Sequence, residues 1–265
     1  MRKYAEVFRI SFKMQIVWRF DVAMTMVATF AHILTMWILW QAIFEGKEHI
    51  GGFTFGTMLS YYIVCSILRS IDFSNQISGE VSELIRGGGF SGHMVTPMNP
   101  MGFFISMVAG ESAFHLFFSI ISAILCVAIF RLNITLTSDI TRILLAVAMI
   151  LLGLTFMAGF RYFLGVLTFK FLEINFVLYL QMSMVAFATG AFVPLSLLPN
   201  AALTVFQFLP FSHVVYTPAM LLTGQIASIK GLFGLTVLFV WTAIITTIGQ
   251  LTYNRLRKKY DGVRI

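Results

Sequence analysis

Glu111 and His115 lie four positions apart, a spacing that sets both side chains on one face of a helix, one above the other. A carboxyl and an imidazole so placed can line a polar route or exchange a proton. They can equally serve as a hydrogen-bonding pair between helices. Arg161 lies about 30 Å along a helix opening at Thr141, so its long stem is expected to snorkel to the inner interface beside Tyr162. Glu173 is its candidate ionic partner, and His32 reads as a structural polar residue. Other chemistry is sparse. There is no H-E-x-x-H and no G-x-x-x-x-G-K-[ST], so the chain offers no phosphate-cradling loop and is not expected to hydrolyse ATP. Gly87, Gly89 and Gly92 formally satisfy G-x-G-x-x-G. A dinucleotide site needs a strand before those glycines and a helix opening from them, whereas here a helical pattern precedes and Pro97 and Pro100 follow. Cys65 and Cys126 sit in apolar runs without a CxxC spacing or a nearby His, which reads as two buried thiols. No catalytic residue, metal site or resident cofactor is expected.

The elements that must position these residues are apolar. The chain is 58% hydrophobic and 11% charged, with 28 Phe and 15 Met, too little charge to cover a soluble domain of 265 residues. The expected fold is an all-α integral membrane protein, one transmembrane unit over residues 1–265. Runs of about 20 apolar residues place six transmembrane helices at Val22–Phe44, Phe53–Ile71, Gly102–Phe130, Ile143–Phe169, Ile174–Val193 and Leu232–Leu251. Basic residues fix the orientation. Arg2, Lys3, Arg9, Lys13, Arg19, Arg69, Arg86, Lys170, Arg255, Arg257, Lys258, Lys259 and Arg264 fall on one side, against Lys47, Arg131, Arg142 and Lys230 on the other. The positive-inside rule makes the richer side, with both termini, cytoplasmic. The net charge of +7 therefore flanks apolar runs instead of forming one basic face, which excludes a nucleic-acid partner. Residues 1–20 are charged throughout, so no cleavable signal peptide is expected.

Between the spans lie segments of other kinds. In residues 1–19, Arg2, Glu6, Arg9 and Lys13 recur at helical spacing opposite Tyr4, Val7, Phe8, Ser11, Met14 and Trp18. This predicts an interfacial elbow helix resting on membrane lipid. Residues 72–100 form the longest inner loop. There Phe73, Ile77, Val81, Leu84 and Ile85 make an apolar stripe, Asp72 or Ser74 could cap its start, the glycines at 87–89 end it, and an extended segment leads to the third span. Such a helix either docks a soluble partner or lies on the bilayer. Residues 194–227 are apolar but broken by Pro194, Pro199, Pro210 and Pro218, so they cannot be one straight span. Gly52 and Gly56 form a GxxxG packing signal, and Asn133-Ile134-Thr135 is a glycosylation sequon relevant only to a secretory-pathway host.

Two stretches carry a resemblance. Residues 80–100 (EVSELIRGGGFSGHMVTPMNP) resemble the pattern of an amphipathic helix ending in I-R-x-G before an extended lead into the third span. Ile85, Arg86, Gly88 and Pro97 are retained, and Thr96 stands where an Arg is common. Residues 190–224 carry P-L-x-x-x-P, then L-P-F, then Y-x-P-x-x-x-x-x-G, with Pro194, Leu195, Pro199, Leu209, Pro210, Phe211, Tyr216, Pro218 and Gly224 in register. Both patterns, with the basic ending at 253–263, resemble permease subunits of type 2 bacterial ABC transporters, the drug and polysaccharide exporter class.

The resemblance implies a permease that pairs with a second one, identical or homologous, above a separate ATPase dimer that carries ATP and Mg. Residues 72–86 and 1–19 would meet that ATPase. Phe73, Ile77, Val81, Leu84 and Ile85 would supply the buried contact, and Glu80, Glu83 and Arg86 the polar rim. The 194–227 segment, with Phe211 among its prolines, would form short re-entrant helices at the outer side. Glu111, His115 and Arg161 become candidates for the transport pathway of an amphipathic or hydrophobic cargo crossing the bacterial inner membrane. The rival readings are an integral membrane enzyme acting on lipid, which the scattered acids and His disfavour, and an ion-coupled transporter, which the lack of an internal repeat disfavours.

Overall fold

A computed structural model describes residues 2–171 and 174–259; Glu173 and the end of the basic tail, including Arg264, lie outside the described residues. The described chain is helical, with no β-strand. Its helices are α1 (Arg2–Val17), α2 (Arg19–Phe44), α3 (Phe55–Ser70), α4 (Asn75–Arg86), α5 (Ser91–Val95), α6 (Pro100–Phe130), α7 (Ile140–Val166), α8 (Asn175–Ala188), α9 (Asn200–Phe208), α10 (Tyr216–Leu222) and α11 (Ser228–Leu256).

Helix starts follow local chemistry. At α3 the Thr54 side chain accepts from Thr57 N while Thr57 Oγ1 accepts from Thr54 N, a reciprocal capping box. Pro100 occupies the first turn of α6 behind Asn99, whose side chain accepts from Met101 N. Asp139 caps α7 in the same way, through Thr141 N at 2.9 Å.

Four helices, α2, α6, α7 with its extension to Phe169, and α11, are long and apolar enough to cross a membrane; a bent pair, Asn200–Phe208 and Phe211–Leu222, raises this to five if taken as one span. The other two expected runs are helical but short. α3 has 16 residues and α8 has 14, or about 24 and 21 Å at helical rise, against a hydrocarbon core of about 30 Å. The long helices carry large apolar side chains outward, among them Phe117, Ile124, Ile129, Leu144, Leu151, Phe239 and Leu251. An outer surface of this kind requires lipid. This is a multi-pass membrane protein.

Glycines set the closest packing. α7 and α11 run side by side in the same direction, with Gly234 against Met149, Gly159 against Ile245, and Gly249 against Tyr162. α6 runs opposite to α7, its Phe104 ring 6.0 Å from that of Tyr162. The central core gathers Trp40, Tyr61, Tyr62, Phe156 and Leu238, and a second core around α4 gathers Ile77, Val81, Phe90, Phe104, Tyr162 and Tyr253.

Several expectations are corrected here. α1 does not lie across the bundle as an elbow but along α6. Lys3 Nζ donates to Pro97 O, Tyr4 packs on Gly102, Ser11 on Gly110, and Gln15 meets His115, a nearly one-to-one advance along both helices. The reason is the pair of glycines at 102 and 110, which clear a seat on α6. The stripe of α4 is not open to a partner either. Ile77, Val81 and Ile85 are buried within this chain, and Phe73 and Leu84 are partly buried beside them. Their seat is Gly165 on α7, where an added Cβ would come 2.7 Å from Val81 Cβ. Thr168 beyond it donates to Ser82 at 3.0 Å. Part of the extended lead into α6 is the short helix α5. Gly52 is no helix-seam glycine: it sits before α3 with φ +85°, a left-handed position that a side chain would strain.

Candidate functional site

Arg161, on α7, lines one cavity together with residues of α3 and α8. It does not snorkel: the residue is 2% exposed, because the α7 face it occupies is turned to the bundle interior. Its Nε and Nη1 are buried without a hydrogen-bond partner. The cavity that the residue lines, of about 220 Å³, runs from Asp72 and Asn75 at one end to Val214 and Val215 of the broken segment, with Leu68, Ile150, Leu154 and Val185 as apolar wall. Exposed Arg69, Asn75 and Met182 lie on its rim.

The two other charged residues of this lining are held in place. Asp72 Oδ1 accepts from Ser74 N at 3.1 Å and from Ser74 Oγ at 2.5 Å. Arg69 Nη1 lies 3.1 Å from His32 Nε2, and its guanidinium stacks 4.8 Å over the Phe192 ring. Since an arginine can only donate, His32 Nε2 accepts. Nδ1 therefore carries the proton and donates to Ser66 Oγ at 2.7 Å, and Ser66 donates to Tyr62 O at 2.7 Å. His32 is thus a structural polar residue, as its sequence context suggested, and it aims Arg69.

Glu111 and His115 are brought elsewhere. No hydrogen bond or ion pair joins them, and neither lines the Arg161 cavity. His115 is buried beneath α1, its Nε2 donating to Gln15 Oε1 at 3.1 Å and its ring 4.3 Å from that of Phe73. One turn away, Ser112 Oγ donates to Ile71 O at 2.5 Å. This face of α6 ties α1 to the α3–α4 connection, so of the three pathway candidates only Arg161 borders the cavity.

The prolines of residues 194–227 break the helix into α9 and α10, with 3-10 turns at Leu195–Leu197 and Phe211–His213 and an 83° bend between the halves. Backbone freed at membrane depth must find donors and acceptors inside the protein, and side chains supply them. Tyr61 OH donates to Gly190 O at 2.6 Å, Tyr62 OH to Phe192 O at 2.7 Å, Trp241 Nε1 to Phe208 O at 2.9 Å, and Ser212 Oγ to Phe206 O at 2.6 Å. Pro194, Pro199 and Pro210 each stand just before a helical turn, while Pro218 lies in the first turns of α10, where the missing N–H matters least. The Phe211 ring packs edge-on against Phe156 and Phe160 of α7, pinning the bend to a span. The tyrosine and tryptophan donors were missed by sequence reading, since Tyr61 and Tyr62 lie on α3, far from the segment along the chain.

A family model, described as ABC-2 family transporter protein, matches residues 30–263. The chain belongs to this family. Neither a search of curated proteins nor one of solved structures gives a match. An ABC-2 family member is the membrane component of an ABC transporter and normally works with an ABC ATPase. Membership also gives meaning to the outward face of α4. With its stripe turned onto α7, this helix leaves Asn75, Gln76, Glu80 and Glu83 exposed. Crowding by the protein, and then the neighbouring Glu83, push the Glu80 carboxyl above the usual carboxylate range. Among the described residues no cluster of His, Cys, Asp or Glu could hold a metal ion.

Proposed function

We propose that this chain is the permease subunit of an ATP-driven exporter in a bacterial inner membrane. In this reading α3 and α8 are short spans that complete a six-span layout, and both termini are cytoplasmic. A second permease, identical or homologous, pairs with it, and a separate ATPase dimer carries ATP and Mg²⁺. The carrying observation is a family match over nearly all of the long helices on a chain whose sequence holds no phosphate-binding loop. The cargo is amphipathic or hydrophobic, since the spans present many Phe and Met surfaces and few fixed charges.

The coupling role stays with residues 72–86 but moves to the other face of α4. Glu80 and Glu83, with Arg86 at the end of the helix, offer the polar contact to the ATPase. Ile77, Val81 and Ile85 instead fasten α4 to α7, together with the Thr168–Ser82 bond. A push on α4 then reaches α7 directly, and α7 carries Arg161. The test is to co-express the chain with the ABC ATPase that co-purifies with it from its native membrane and to compare the double variant Glu80→Lys, Glu83→Lys with the native pair. The variant should insert and fold normally, lose ATPase in co-purification, and lose ATP-dependent efflux from vesicles. Full retention of ATPase and efflux would end the coupling assignment, and absence of any ATP-dependent efflux by the native pair would end the exporter reading.

A further inference from the structure

The Arg161 cavity combines features that a packing role does not need. A buried guanidinium is tolerated when paired or hydrogen-bonded, yet two nitrogens of Arg161 are buried without a partner, and the residue lines the cavity. Asp72, the nearby acid whose charge acts on Arg161, is engaged by Ser74. A volume of about 220 Å³ far exceeds what a single water occupies, and a second guanidinium, Arg69, stands on the same wall. Counting Arg69, Arg161 and Asp72, the formal charge of the lining is positive. Apart from Asn75 and Thr189 the rest of the wall is apolar, and the rim reaches the exposed side of α8 at Met182.

We propose that this cavity is a binding site for the oxyanion headgroup of an amphiphile, a phosphate held by the Arg161 fork with its apolar chain leaving past α8. An arginine fork matches two oxygens of such a group at once. The aliphatic wall suits the first carbons of the tail, and the enclosed volume suits a headgroup and excludes a whole lipid. Asp72 at one end of the cavity opposes the anion and so sets how tightly it is held. That this anion is the headgroup of the transported cargo rests on the exporter reading; the binding site itself does not.

The experiment titrates the purified full chain in detergent with phosphatidylglycerol, with phosphatidylcholine as the zwitterionic control and inorganic phosphate as the free anion, following bound lipid by native mass spectrometry. Phosphatidylglycerol should bind in preference to phosphatidylcholine. Arg161→Gln should weaken it by about 10- to 100-fold, the usual weight of charged hydrogen bonds. Arg161→Lys, which keeps the charge but not the fork, should fall between. Asp72→Asn, which keeps the acceptor for Ser74, should tighten binding on the order of threefold to tenfold; this variant serves if Arg161→Gln fails to fold. Displacement by inorganic phosphate would make the ligand a free anion, and its failure to displace would make it a lipid headgroup. No preference for phosphatidylglycerol, or equal affinity in native, Arg161→Lys and Asp72→Asn chains, would overturn the proposal. Binding that follows these substitutions in a chain without ATP-dependent efflux would retain the site and remove only the exporter reading.

Discussion

α1 and α4 are both amphipathic helices, and each sits on glycine of a long span, yet they turn opposite sides to the protein. α4 buries Ile77, Val81 and Ile85 over Gly165 and shows Gln76, Glu80 and Glu83 to the outside. α1 buries only Ser11 fully, with Tyr4, Val7 and Gln15 partly covered along the same edge, and leaves Ile10, Met14, Val17 and Trp18 exposed. The same kind of sequence pattern therefore serves two ends. α4 is anchored by its apolar side and offers a polar face to water or a soluble partner. α1 is anchored by an edge centred on Ser11, and its apolar side is left exposed. An apolar stripe thus reports that a helix is covered along that side, without telling by what.

The contrast can be broken most sharply at α4. Val81→Asn would bury an amide with no partner, at about 2–7 kcal/mol. Thermal unfolding in detergent should fall markedly, with new proteolytic cleavage near Arg86. An unchanged midpoint would mean that α4 is not seated on α7.

A smaller effect is expected at α1. A Cβ on Gly110 would come 2.4 Å from Phe8 O, which is backbone and cannot rotate away. Gly110→Ala should therefore push α1 outward, at roughly 1–3 kcal/mol. Amide exchange should accelerate in residues 4–15 and remain unchanged in α4. Acceleration in both helices would show that the two seats are one cooperative unit.

The smallest effect concerns pH. The Glu80 carboxyl titrates above its ordinary range, so its contribution to stability is full below that range and is lost as pH rises through the elevated value. Glu80→Gln should flatten the pH dependence of α4 protection between mildly acidic and neutral conditions and slightly stabilise the neutral form. With Glu80 exposed, the change should be only a few tenths of a kcal/mol. An opposite slope would place a cation, not Glu83, beside it.

Much of this protein was legible in its residues. Apolar runs located the long helices because lipid imposes a length and forbids charge along it. The prolines of residues 194–227 foretold a broken segment, since each removes a backbone donor. Gly87 ends α4 where the glycine run suggested. What stayed hidden was contact. Glu111 and His115 share a helix face, yet α1 draws His115 to Gln15 and no bond joins the pair. Arg161 was assigned to the interface by counting residues, whereas α7 turns the face that carries it to the bundle interior.

The sequence by itself thus determined that the chain lives in a membrane, which segments are helical, where the regular helix must fail, and to which family it belongs. Those properties follow from the solubility and backbone chemistry of consecutive residues. Only the tertiary structure decided which face of α1 and of α4 is covered, which side chains cap the broken segment, and that Arg161 stands unpartnered in a cavity. These depend on which distant glycines, tyrosines and carboxylates are brought within a few ångströms, and no local spacing encodes that.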